Sequence, residues 1–414
     1  MIRRPSSQPR YTAGIAFIVV TAFLDVMAMG IVMPVLPALI AEFTGSEGET
    51  GIYNGLFVAI WAGMQFAFSP LIGSLSDRYG RRPVVLISAA GLALDFVLMA
   101  VAPNLWWLAV GRVLGGITSS SFTTAFAYMA DVTAPEQRSR AYGLIGAAFS
   151  GGFVAGPVIG GILAEFGPRA PFWAAAGLSG LAFLYGLAIL PESLRPEHRM
   201  PFSWSRANPL GALKLLRSHP ELTGLSVVNF LLYVAHHVFS TVFVLYAGHR
   251  YGWDAWLIGL ALSLWGVLDI IVQALLVGPA VKRLGDRDTM VLGLAAGAAG
   301  LAILGLAPRG SLFVLGIFVS ALWGLAMPTL LSLMTQHVSE SEQGQLQGAN
   351  MSVASIAGVA SPLFFGFVYA ASVGERPVLP HPGASFLIAA AILLGSALLG
   401  LRLSKRHVTA GAGP

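Results

Sequence analysis

No cysteine occurs in this 414-residue sequence, so disulfides, thiolate nucleophiles and cysteine metal sites are all excluded. Charge is scarce as well. Asp, Glu, Lys and Arg together make up 10% of the chain, against about 25% in a soluble domain. Lysine is rarest of all: Lys214, Lys282 and Lys405 are three of 24 basic residues. The chain also lacks a phosphate-binding glycine loop, a cluster of metal-ligating side chains and a Gly-x-Ser-x-Gly elbow. These absences argue against an enzyme and leave no cofactor to expect. A net charge of +5 spread over this length gives no basic stripe for nucleic acid.

What the chain has in abundance is apolar surface. Hydrophobic residues make up 56% of it, more than a water-soluble core of this size can bury, so the excess must face a lipid bilayer. Arg3, Arg4 and Arg10 precede an apolar run with no small-residue cleavage site after it. That run is roughly 27 residues long, enough to span a bilayer, and reads as the first membrane helix rather than a cleaved leader.

Similar runs recur at 13–40, 51–75, 83–102, 104–131, 138–165, 170–190, 221–248, 255–280, 289–307, 310–336, 343–371 and 383–403. They are too long and too little alternating for barrel strands, which predicts an all-α membrane protein of twelve transmembrane helices. With both termini inside, the cytoplasmic segments and adjoining span ends hold 19 basic residues and the outer loops 4, while Arg112 lies deep within a span. That asymmetry obeys the positive-inside rule.

The longest polar stretch, Pro191 to Pro220, divides the chain into 1–190, a linker 191–220, and 221–414. Residues 210–217 within it suit either an amphipathic helix on the membrane surface or a solvated connector. The halves resemble each other. GSLSDRYGRRP at Gly73 has a looser copy, GPAVKRLGDRD, at Gly278; GPVIGG at 156–161 pairs with SPLFFG at 361–366. Both matches are offset by 205 residues, as two parallel six-helix repeats would be.

Charges inside the spans are the candidate functional groups, because an Asp at a helix centre costs roughly 2.5–3.5 kcal/mol on insertion scales. They are Asp25, Asp95, Arg112 and Asp269. Asp25 lies 12 residues past Ala13, about 18 Å into the membrane at 1.5 Å per residue. Arg112 and Asp95 have similar depth on antiparallel neighbours, so Arg112 is expected to pair with Asp95 or with Asp25. An acid balanced between desolvation and a nearby guanidinium can load and release a proton; the alternative is a permanent pair that only joins helices. Asp269, alone within the spans of the second half and without an evident basic partner, suits either proton exchange or, if it faces a watery cavity, attraction of a cationic substrate. Gly156-Pro157 predicts a kinked, closely packed span. Gln65, His236, His237, Phe239, Trp265 and Gln273 are the candidate substrate contacts. Of the adjacent histidines, one must face away from any shared partner.

These motifs together resemble the major facilitator superfamily, and within it the drug:proton antiporters near the tetracycline efflux proteins. The resemblance rests on Gly73 to Pro83, on Gly111-Arg112-Val-Leu-Gly115-Gly116, and on Gly152 with Gly156-Pro157-Val-Ile-Gly160-Gly161. It also rests on Leu24-Asp25 with Gly30 and Pro34-Val-Leu-Pro37, on Arg250 to Asp254, and on Gln343 to Gly348. It implies a monomer in a bacterial inner membrane that expels a drug-like small molecule in exchange for protons. Uptake of a nutrient or metabolite is the alternative. It also implies a cytoplasmic gate in which Asp77 caps a helix of the other half, Arg81 pairs with Asp131, and Arg78 and Arg82 assist. The resemblance further implies that the span-5 bend at Gly156-Pro157 guards against leak, the alternative being a plain packing role. The chain departs from the tetracycline-exporter pattern at Asp269, where that pattern has histidine, and at Gly297, where it has an acid.

Overall fold

The computed structural model describes residues 9–119, 121–134, 137–202, 215–216, 220–339, 342–373, 377–379 and 381–403. Most of the 210–217 segment lies outside them, as do Arg3, Arg4, Lys214 and Lys405. Every regular element among the described residues is helical.

The first run is two helices, α1 (Pro9–Val32) and the short α2 (Leu36–Ala41). Pro34 separates them because its nitrogen has no proton to donate and its ring disfavours a helical residue before it. Then follow α3 (Glu47–Tyr79), α4 (Arg81–Ala100), α5 (Leu105–Thr118), α6 (Ser121–Val132), α7 (Arg138–Ala164) and α8 (Ala170–Ile189). The rest comprises α9 (Pro220–Thr241), α10 (Phe243–Tyr251), α11 (Ala255–Ile271), α12 (Val277–Leu306), α13 (Gly310–Ala321), α14 (Ala326–Thr335), α15 (Gln343–Val373) and α16 (Ala384–Leu403).

Ten helical stretches among the described residues are long and apolar enough to cross a membrane. One of them, Ala255–Leu306, is 52 residues long and breaks at Gly285, so it supplies two spans. Helices α5 and α6 together make another, which accounts for the expected twelve. Large apolar side chains face outward as a bilayer requires: Ile87 is 69% exposed, Leu181 62% and Phe367 58%.

The sequence repeat has a backbone counterpart. Gly80 (φ 109, ψ 162) ends α3 and starts α4, and Gly285 (φ 79, ψ 166) breaks α12. Both adopt a conformation open to glycine alone, 205 residues apart. Pro157 and Pro362, at the same offset, both lie inside helices.

The chain divides into two units, one of Met1–Val35 and Met64–Pro209, the other of Leu36–Gly63 and Leu210–Pro414. In the first, Phe17, Ile18, Val85, Tyr128, Met129 and Ile145 form a core joining α1, α4, α6 and α7. Glycine lets α1 and α7 meet backbone to backbone. A Cβ added at Gly156 would lie 2.6 Å from Met27 O and 2.7 Å from Gly30 Cα; one at Gly30 would lie 3.0 Å from Pro157 Cδ. Gly156→Ala is therefore expected to cost about 1–3 kcal/mol through overpacking, read as a lower melting temperature in detergent by tryptophan fluorescence. An unchanged melting curve would refute the close approach.

In the second unit, Tyr246, Trp253, Phe313 and Phe386 build an aromatic core at one end of α10, α13 and α16. Helix α9 ends at Thr241, and Asn54 Nδ2 donates to the carbonyl freed there at 2.7 Å.

Candidate functional site

Arg112 takes Asp95, not Asp25. Its Nη2 lies 3.0 Å from Asp95 Oδ2, with the side chains 11% and 1% exposed, and it also rests against Met99 Sδ. The seat is cut by two glycines. A Cβ at Gly111 would come within 2.8 Å of Asp95 Oδ1, and one at Gly115 would also strike the carboxylate. The α4–α5 pair thus closes around a charge pair that no side chain at 111 or 115 could share.

Asp25, midway along α1, is left without that partner. Its Oδ1 is shut off from the surface and accepts no hydrogen bond among the described residues. A buried polar atom without a partner is costly and calls for a functional reason.

At one end of the same unit lies a charged cluster. Arg81 Nη1 donates to Asp77 Oδ1 at 2.6 Å and to Ser76 Oγ at 2.9 Å, and its Nε donates to Asp131 Oδ2 at 3.1 Å. Ser193 Oγ also donates to Asp131 at 3.1 Å. Arg82 Nη2 donates to Leu187 O, while Arg78 is exposed and lies over the ring of Tyr79 at 5.1 Å. Asp77 is taken up by Arg81 inside its own unit.

Glu192 is a member of this cluster that the sequence did not single out. Its carboxylate accepts from the Arg81 and Arg82 amides at 2.8 and 3.3 Å. Gly80 supplies no side-chain cap to α4, so Glu192 satisfies the free N–H groups and meets the positive end of the helix dipole. A Cβ at Gly80 would collide with that carboxylate. The available signal was an acid in Pro191-Glu192-Ser193, directly after a span and among arginines, hidden by its place in a polar linker.

In the other unit Asp269 ends its helix beside an irregularity. A π-helical turn spans Val272–Leu276, and Gln273 Nε2 donates to Asp269 Oδ2 at 2.6 Å. Asp269 has no ion-pair partner among the described residues. Across from it, α13 and α14 are joined by a 3₁₀ turn, Leu322–Leu325. A Cβ at Gly324 would lie 2.5 Å from Asp269 Oδ1, so this turn also makes room for a carboxyl group.

The adjacent histidines diverge. His237 Nδ1 lies 3.4 Å from Ser240 Oγ, and its ring faces Gly358 of α15. The ring of His236 lies 5.6 Å from those of both Trp265 and Trp323. Phe239 stacks on Trp265 at 4.6 Å. Gln65, half-buried on α3, belongs to the first unit. Trp323 and Gly324 were missed because an apolar run shows no break where its helix tightens.

Known proteins agree with this architecture. The profile of the Major Facilitator Superfamily matches residues 18–362 and 225–413. The chain is 38% identical over 374 residues to "Tetracycline resistance protein, class C" of Escherichia coli, covering 90% of this chain and 93% of that one. It is 37% identical to "Tetracycline resistance protein, class G" of Vibrio anguillarum, covering 88% and 92%. Among solved structures, a bacterial homolog of the human lysosomal transporter Spinster, inward-facing and unoccupied, superposes with a TM-score of 0.79 at 14% identity. That superposition covers 98% of this chain and 99% of the other. The chain belongs to the Major Facilitator Superfamily, and it is a membrane transporter rather than an enzyme.

Proposed function

We propose that this transporter exports a drug-like, amphiphilic small molecule of the tetracycline type in exchange for protons, by alternating access. The observation that carries the reading is the unpartnered carboxyl oxygen of Asp25 deep in α1. An acid not committed to a permanent ion pair is free to take up a proton on one side and give it up on the other. The relatives named for tetracycline resistance support a drug as cargo. Arg81, Asp77 and Asp131 serve as the cytoplasmic gate, with Arg78 and Arg82 beside it, and the Gly156-Pro157 bend keeps the pathway tight. Asp95 and Arg112 hold the proton pathway's wall. Residues 1–190 and 221–414 act as two six-helix halves with both termini in the cytoplasm of a bacterium, and the transporter works as a monomer in its inner membrane. One charge moved inward yields about 2.3 kcal/mol per 100 mV, enough for roughly a 50-fold gradient of cargo.

Proteoliposomes with an imposed pH gradient test this directly, with tetracycline and a panel of neutral and cationic drugs offered in turn. Drug-dependent proton movement for at least one compound is the expected outcome. Transport that ignores the pH gradient, or no transport of any compound, would reject it and favour a metabolite as cargo.

A further inference from the structure

Three helices of the second unit bring one acid and one exposed aromatic ring to the same place. Trp265 and Asp269 are one turn apart on α11, so they share a face. Trp265 is buried, and its ring lies 5.6 Å from that of His236 on α9. His236 is exposed even though the rings of Trp265, Trp323 and Phe239 stand behind it. These rings, themselves buried, back the solvent-accessible imidazole. Asp269 is half-buried, with Oδ2 fixed by Gln273. Its Oδ1 accepts no hydrogen bond among the described residues and faces Gly324.

Both flanking irregularities bear on this carboxylate. The π turn begins three residues after it and carries Gln273, which orients it. The 3₁₀ turn supplies Gly324, which leaves it space. Such turns recur at functional sites because they displace side chains from regular helical positions. A carboxylate with an uncommitted oxygen, no arginine or lysine partner among the described residues and an aromatic ring one turn away presents two complementary features. One attracts positive charge; the other accepts the flat face of a ring.

We propose that His236, the edge of Trp265, Asp269 and Gln273 form a subsite for an organic cation bearing aromatic rings. Asp269 holds the charge and His236 stacks on a ring; Gln273 and Gly324 are positioning residues for the carboxylate. The proposal rests on the export reading, and it narrows the cargo to cationic members of the amphiphilic class.

Equilibrium binding to the purified full-length protein in detergent, without any gradient, tests it by calorimetry at fixed pH. The probes are tetraphenylphosphonium and the uncharged triphenylphosphine oxide. Wild type is expected to prefer the cation. Asp269→Asn should weaken cation binding about tenfold or more and leave the oxide within about twofold. Asp269→Glu should restore the preference, which separates a lost charge from a damaged fold, and His236→Ala should weaken both probes. Equal cation affinity in wild type and Asp269→Asn overturns the subsite, as does a wild type that binds neither probe. In either case the export reading stands if another drug still moves protons in proteoliposomes, and falls only if none does.

Discussion

On the proposed export reading, Asp25→Asn is expected to lose most drug-dependent proton entry into proteoliposomes, while drug-for-drug exchange across the same vesicles continues. The substitution conserves shape and removes only the ability to exchange a proton, so transport becomes uncoupled rather than blocked. A fall of at least about tenfold in initial proton flux is expected, because general proton-transfer groups contribute on the order of 10² to 10⁴ when present. A pH-sensitive dye inside the vesicles reports the flux, and radiolabelled drug reports the exchange. The reason to single out Asp25 among the intramembrane acids is partnership. Asp95 lies under the Arg112 guanidinium and is walled in by Gly111 and Gly115. Asp269 has one oxygen engaged by Gln273. Asp25 alone among the three keeps a buried oxygen that no described residue satisfies. Undiminished proton flux in Asp25→Asn would move the coupling role elsewhere.

Removing the arginine from the α4–α5 pair has the second large effect, on stability. Arg112→Ala leaves the Asp95 carboxylate, 1% exposed, without its counter-charge in a site closed by glycine backbone. Breaking one partner of a buried pair typically costs about 3–5 kcal/mol. The variant is therefore expected to melt well below wild type in detergent or to fail to accumulate. The double variant Asp95→Asn with Arg112→Ala removes both charges together and should recover most of the loss, since the two effects are coupled through one contact. Tryptophan fluorescence during a thermal ramp, run on all four combinations, measures that coupling. Additive losses would mean that the pair contributes nothing beyond its separate side chains.

The charged cluster around Arg81 illustrates how far local sequence reaches. The Arg81–Asp131 pair was legible because one residue lies in the 73–83 segment and the other ends a span facing the same polar layer, and the two meet at 3.1 Å; Asp77, expected to cap a helix of the other half, instead accepts from Arg81. Glu192 was not legible, since its role depends on the chain after α8 folding back beneath the first turn of α4. The sequence expressed the acid but not its neighbour.

The sequence by itself determined that the chain spans a membrane many times and that its halves repeat. Hydropathy sums over windows of about twenty residues and needs no partner to act. Glycine at 80 and 285 and proline at 157 and 362 write the repeat in backbone terms that are equally local. Only the tertiary structure decided which acid Arg112 meets, which of two adjacent histidines turns toward the tryptophans, and where the helices depart from α geometry. Each of those choices depends on rotation about a helix axis and on how closely two backbones approach. A break such as Thr241–Phe243 becomes tolerable only when Asn54, on another helix, satisfies the freed carbonyl. The π turn after Asp269 and the tightened turn at Gly324 have meaning only together, because one carboxyl group fits between them.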